Sequence, residues 1–298
     1  MLVVVKEQCD LRAGQQTRSK SIGLMFLGVA VFTWLLIGIS GVPAADAWTR
    51  WAGFEETSTV AIDHSEWQDL LSEYVVVGDA GDPNRVDYAV FASNQDARDQ
   101  LELYITSLEA VEVETLNRNE QFAFWANLYN AATVRVILDH YPVASIRKIN
   151  ISPGLFTKGP WGAKLVMVGG ERLTLDDIEH RILRPTWQDP RVHYAVNCAS
   201  VGCPNLPVSP FIGKTLEADL EAAARAYVNS PRGAFVEGGE LTVSKIYNWY
   251  AEDFGDSDLN VIAHLKLYAE GDLLAAVERT DRISSYDYDW ALNDVVAK

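Results

Sequence analysis

Cysteine is scarce in this chain, with three in 298 residues. That excludes a dense disulfide scaffold. Basic residues are outnumbered, 25 Lys plus Arg against 41 Asp plus Glu, for a formal net charge of −16. An overall basic footprint is missing, so binding to nucleic acid through phosphates is excluded as a main function. No glycine-rich phosphate loop, no dinucleotide fingerprint and no His-Glu-x-x-His zinc motif occurs, and no cofactor or metal is implied. There is no internal repeat, low-complexity tract or clear linker after residue 60. What is present is the balance of a folded protein, 48% hydrophobic and 22% charged.

The first feature of note is an uncharged apolar run over residues 22–42, preceded by Arg12, Arg18 and Lys20. Charges are costly in hydrocarbon, so such a run belongs in a bilayer, and the basic flank of residues 1–21 places the N-terminus in the cytoplasm. Two outcomes fit. Ala45-Asp46-Ala47 offers a signal-peptidase site before Trp48, and the length of the run also suits an uncleaved anchor. Either way the rest of the chain is expected outside the cytoplasmic membrane, periplasmic or in the cell envelope, with the membrane as a partner only if the anchor stays. The exported part is acidic, so anionic polymers are repelled at long range. Tight binding to them would need a local basic patch that composition does not show.

Apolar spacing then predicts helices over 65–77, with Trp67, Leu70, Leu71 and Tyr74 as a stripe, and over about 96–116. A third helix begins at a cap on Asn119 and ends before Pro142. From Gln121 to Val134 it carries no formal charge, which predicts a central buried helix too short to span a bilayer. Gly169-Gly170 and Gly238-Gly239 predict two hairpins, each followed by a helix, 175–184 stopped by Pro185 and 245–254 stopped by Gly255. Residues 191–198 read as a strand, and 215–229, 259–269 and 273–278 as helices. The expected fold is α+β, a mostly helical single domain over 60–294 with a small antiparallel sheet.

Four segments, FAFWANLYNA (122–131), LTLDDIEHRILR (173–184), DPRVHYAVNCASVGCP (189–204) and YDYDWALN (286–293), resemble in the same order those of the family called domain of unknown function 547. The resemblance runs from about residue 60 to 294. It implies membership of a bacterial and plant family, whose plant members often carry an N-terminal coiled coil, and it brings no established activity. The positions matching the family pattern are Asn127, Asn130, Glu179, His180, His193, Asn197, Cys198, Ser200 and Cys203. Ala126 stands where the pattern has a bulkier apolar residue.

These positions define the candidate chemistry. A reactive cysteine needs a base or a positive neighbour. On an extended strand His193 and Cys198 point to opposite faces, so Cys203 on a folded-back loop, or a base such as His180, is the alternative. Against this stands a Cys198–Cys203 disulfide, favoured by export, in which case Ser200 is the fallback nucleophile. A zinc site from His193, Cys198 and Cys203 matches no standard spacing. Glu179 falls inside the apolar stripe of its helix, a position suited to a general acid or base. The competing reading pairs Glu179 with Arg191, and Asp176 with His180. Asn127 and Asn130 share a helix face and must either be hydrogen-bonded to backbone or line a wet site. His64, His140 and His264 read as surface or helix-end histidines, and the C-terminal aromatics as core or a sugar-stacking platform.

Two function classes follow. One is a thiol- or acid/base-dependent hydrolase or acyltransferase acting on amides or esters, with an Asn orienting the base. The other is a non-catalytic binding or scaffold module of the envelope. Its substrate or protein partner is not legible in the sequence.

Overall fold

The structure, a computed structural model, describes residues 46–79, 81–154 and 157–295. The apolar run 22–42 and its basic flank lie outside the described residues. Among the described residues no helix is long and apolar enough to cross a membrane. The fold is α+β, helices with three small sheets.

Four helices open the fold, α1 (Ser65–Tyr74), α2 (Tyr88–Ser93), α3 (Gln95–Glu109) and α4 (Arg118–His140). Helix α1 ends before Val77 because Val75-Val76 leave it to form strand β1 (Val75–Val76), paired antiparallel with β2 (Arg85–Val86). β-Branched side chains favour that exchange. Helix α3 likewise stops short of Leu116, and Val113–Thr115 form a separate 3₁₀ turn. Helix α4 is capped by Asn117, whose side chain accepts the Glu120 N–H at 3.0 Å, rather than by Asn119. Every residue from Glu120 to Val134 is buried, as the uncharged stretch from Gln121 requires. Burial of Phe122, Phe124, Trp125 and Tyr129 contributes about 1.5–3 kcal/mol each and anchors the larger of two apolar cores.

The two glycine-pair hairpins form as the sequence predicts. Strands β3 (Val166–Val168) and β4 (Glu171–Leu173) flank Gly169-Gly170, and β5 (Ala234–Glu237) and β6 (Glu240–Ser244) flank Gly238-Gly239. All four glycines have positive φ, which tight hairpin turns require. Strand β7 (Ser285–Asp287) adds to β6 in parallel, so this three-stranded sheet is mixed rather than antiparallel throughout.

Two segments depart from expectation where the site lies. The helix that begins at Leu175 does not stop at Pro185. Thr174 and Asp177 cap each other reciprocally, the Asp177 N–H to Thr174 Oγ1 at 2.9 Å and the Thr174 N–H to Asp177 Oδ2 at 3.0 Å. The helix then widens into a π-turn over Asp177–Leu183 and continues as α5 (Arg184–Trp187). Proline lacks an N–H and crowds the preceding turn. The wide turn absorbs it, with the Arg184 N–H bonded five residues back to the Glu179 carbonyl.

The expected strand at 191–198 is instead a short helix, α6 (Val192–Ala195). Asp189-Pro190 starts it. The Asp189 carboxylate accepts the Arg191 N–H at 2.8 Å, and the carbonyls of Asp189, Pro190 and Arg191 take the N–H groups of Val192, His193 and Tyr194. Pro at the head of a helical turn costs nothing, since that N–H would be unpaired anyway. Asn130 of α4 therefore faces α6 and its exit loop, while Asn127 faces the loop at Phe211.

The remaining helices are α7 (Leu216–Val228), α8 (Ile246–Trp249), a 3₁₀ turn over Ala251–Phe254, α9 (Asp258–Tyr268) and α10 (Gly271–Val277). With β5 and β6 they enclose the smaller core.

Candidate functional site

The π-turn and α6 place Glu179, His180 and His193 together, with all three side chains buried. His193 stands between two carboxylates. Its Nε2 lies 2.6 Å from Asp253 Oδ2 and its Nδ1 lies 3.7 Å from Glu179 Oε1. The hydroxyl of Tyr129, on α4, donates to the other Glu179 oxygen at 3.1 Å. Tyr250 stacks on the His193 ring at 4.0 Å between centroids.

Arg184, one turn beyond His180, closes the network. Its Nε reaches Asp253 Oδ2 at 2.5 Å and an Nη reaches Glu252 Oε1 at 2.5 Å. The other Nη donates to His180 Nδ1 at 3.1 Å.

The electrostatics of this knot follow from its depth. Burial works against the Asp253 carboxylate, but hydrogen bonds from His193 and Arg184 outweigh it and hold its pKa at about 2. Asp176 moves the other way. Burial, then the neighbouring charges of Glu179 and Asp177, pushes it up to about 7. Its Oδ1 lies 3.7 Å from His180 Nε2, the i,i+4 pairing offered by the sequence. Burial, helped by the Arg184 charge, lowers the His180 pKa, so the imidazole is a neutral acceptor for Arg184. Burial and the Glu179 charge push the phenols of Tyr129 and Tyr250 well above their ordinary value.

Cys198, Ser200 and Cys203 form a second knot around Tyr288. The Tyr288 hydroxyl lies 3.1 Å from Cys198 Sγ, 3.2 Å from Cys203 Sγ and 2.9 Å from Ser200 Oγ. The two cysteines are apposed as a disulfide-capable pair, with Cα atoms 6.2 Å apart. Gly202 allows the loop between them to lie against the C-terminal segment. Its N–H bonds the Asp289 carbonyl at 2.8 Å, and a Cβ there would come within 2.9 Å of the same backbone. Tyr288 packs on Trp249 at 4.8 Å between centroids, and the next residue, Tyr250, stacks on His193, so the two knots are neighbours. No direct hydrogen bond joins His193 to either sulfur among the described residues. His193 turns to Glu179 and Asp253, which also removes it from the zinc set with Cys198 and Cys203.

The asparagines hold backbone. Asn127 accepts the Phe211 N–H at 3.1 Å and donates to the Phe211 carbonyl at 2.7 Å. Asn130 donates to the Ala195 carbonyl at 2.9 Å and accepts the Asn197 N–H at 2.8 Å, locking the exit of α6. Asn197 spans its own loop, donating to the Pro204 carbonyl at 2.6 Å and accepting the Ala199 N–H at 2.8 Å. None of the three orients a histidine of the knot. Arg191 does not pair with Glu179 either, because Asp189 and Glu217 take it at 2.7 and 2.6 Å.

His64 and His264 are buried rather than superficial. His64 bonds Tyr104 OH at 2.7 Å and His264 bonds Tyr194 OH at 2.7 Å. Exclusion of water lowers both to about 4. His140 sits at the end of α4, exposed, as its sequence position suggests.

Asp253, Tyr129, Tyr250 and Tyr288 were not among the residues singled out by sequence. Tyr288 carried a faint signal, as part of an aromatic segment matching the family pattern. Asp253 carried none, since it reaches His193 only through tertiary packing across sixty positions.

Residues 113–228 match the sequence profile of the family described as Protein of unknown function, DUF547. The chain carries a DUF547 domain. That span holds the asparagine clasps, the π-turn, α6 and both cysteines, while Asp253 and Tyr288 lie beyond it. No curated protein and no solved structure matches the chain significantly.

Proposed function

We propose that this DUF547 protein is an exported enzyme whose Glu179–His193–Asp253 network performs acid/base chemistry in hydrolysis or transfer of an acyl group from an amide or ester. One observation carries the reading. Both ring nitrogens of a buried histidine face carboxylates. Nε2 is held to the Asp253 carboxylate at 2.6 Å, and Nδ1 faces Glu179 Oε1 at 3.7 Å, beyond direct hydrogen-bond reach and close enough for one water or hydroxyl group to bridge. In the reaction the Glu179–His193 pair takes the proton of an attacking water and returns it to the leaving amine or alcohol as the acyl bond breaks. Asp253 fixes the ring and balances its charge. A buried ion network is poor value for stability, because desolvation offsets the Coulomb gain, so its place beside the partly exposed Tyr250 and Asp253 favours chemistry.

Export is supported by the apolar run at 22–42 with its basic flank, and by the apposed cysteines, since disulfides persist in oxidising compartments. A paired Cys198 is no nucleophile, which favours the acid/base route over the thiol route. The non-catalytic scaffold reading draws on a different observation, that Asn127, Asn130 and Asn197 each clasp backbone groups.

Hydrolysis of p-nitrophenyl acetate across pH decides between them. His193→Gln and Glu179→Gln, each confirmed folded by circular dichroism, are expected to lose about 100-fold in rate. Rates equal to the parent protein in both variants would establish the scaffold reading. Activity that appears only after reduction and is blocked by iodoacetamide would return the nucleophile to Cys198.

A further inference from the structure

A cleft in the acidic surface gathers three cationic side chains. Arg147, Lys148 and Lys158 line a cleft of about 830 Å³ together with Asn150, Asp289 and Trp290. Elsewhere Arg98, Arg135, Arg181, Arg184, Arg191 and Arg225 each sit on a carboxylate. Among the described residues no ion pair engages Arg147, Lys148 or Lys158, and the cleft's only carboxylate, Asp289, is turned to the Ala291 N–H at 2.8 Å. This is the local basic patch that composition conceals. Summed charge does not register three cations gathered in one place.

The guanidinium of Arg147 lies over the Trp290 ring, 5.0 Å from its centroid. A guanidinium resting over an indole keeps N–H groups to fork onto an oxyanion. Trp290 also belongs to a run of partly exposed aromatics. Its ring lies 5.8 Å from Trp161, 5.5 Å from Trp249 and 4.7 Å from Tyr288. Of these rings it is Trp290 that lines the cleft, and an indole beside a polar, cationic recess suits a ring with one apolar face and hydroxyl groups around its edge. A nucleic acid strand would bring closely spaced charges against a chain of net charge −16, whereas a short sugar brings at most one charge per ring.

We propose that this cleft binds a saccharide bearing an oxyanion, a carboxylate or a phosphate. Arg147, Lys148 and Lys158 would pair with the charge, and Trp290 would stack on the ring. The cleft does not include Glu179 or His193, and the inference stands whether or not hydrolysis is found.

Calorimetric titration of the full chain tests it with four probes, hexagalacturonate, mannose 6-phosphate, neutral maltohexaose and inorganic phosphate. One or both charged sugars are expected to bind, and which of them binds identifies the anion. The double variant Arg147→Gln/Lys148→Gln is expected to weaken that binding about tenfold, as loss of two partly exposed ion pairs would. Added salt is expected to weaken it as well. Lys158→Glu, at an exposed position, provides a second variant should the first fail to fold. Failure of both charged sugars to bind, equal binding of maltohexaose, or unchanged affinity in the folded variants would overturn the proposal. Inorganic phosphate binding as tightly as mannose 6-phosphate would overturn its saccharide part.

Discussion

Asn130→Ala separates a structural amide from a catalytic one. The native side chain satisfies two buried backbone groups at once, the Ala195 carbonyl at 2.9 Å and the Asn197 N–H at 2.8 Å. Alanine can pair with neither, and water has no evident route to a helix buried from Glu120 to Val134. Each orphaned group costs about 1–3 kcal/mol, and a small void adds to that. The expected loss is about 3 kcal/mol, or roughly 6–12 °C in Tm for a domain of this size. Urea denaturation followed by tryptophan fluorescence measures it. The cleft and the His193 network do not contact Asn130 directly, so esterase activity per folded molecule should change little. A loss under about 1 kcal/mol would show that the clasp does not hold the exit of α6 and would refute the reasoning.

Other outcomes follow from the same physics. Asp253 titrates near 2 when folded against about 3.9 unfolded, so its contribution is intact above that higher value and lost as pH falls toward 2. In Asp253→Asn this acid limb of the urea stability curve should flatten. Asp176 is raised to about 7, so stability declines as pH rises from about 4 to that value, and Asp176→Asn should remove the decline. His264 is buried neutral with a pKa of about 4, against about 6.5 unfolded. It makes the fold weaker as pH drops between those values, and His264→Gln should show a shallower slope there. Gly202→Ala places a methyl within 2.9 Å of Asp289 backbone. It is expected to loosen the C-terminal segment, seen as faster exchange of the backbone amide at position 202, with an unchanged rate telling against the close approach.

Periodicity and turn chemistry made much of the fold readable. The uncharged stretch of α4 could only be a buried helix, and paired glycines could only mark tight turns, because those signals act over a few residues. The misread segments are those where a local signal has two solutions. Val192-His193-Tyr194-Ala195-Val196 has the composition of a strand, and Asp189-Pro190 turned it into a helix. Pro185 usually ends a helix, but here a π-turn made room for it.

The amino-acid order by itself determined which polar residues must be accounted for, because an amide, an imidazole or a carboxylate in an apolar stripe cannot be left unpaired. Only the tertiary structure decided what pairs with them. It gave Asn127 and Asn130 to backbone, Cys198 to Cys203, and His193 to Asp253 and Glu179. It also gathered Arg147, Lys148 and Lys158 into one recess. Pairing is a matter of distances across the fold, and separations of tens of residues leave no trace of those distances in the order of the chain.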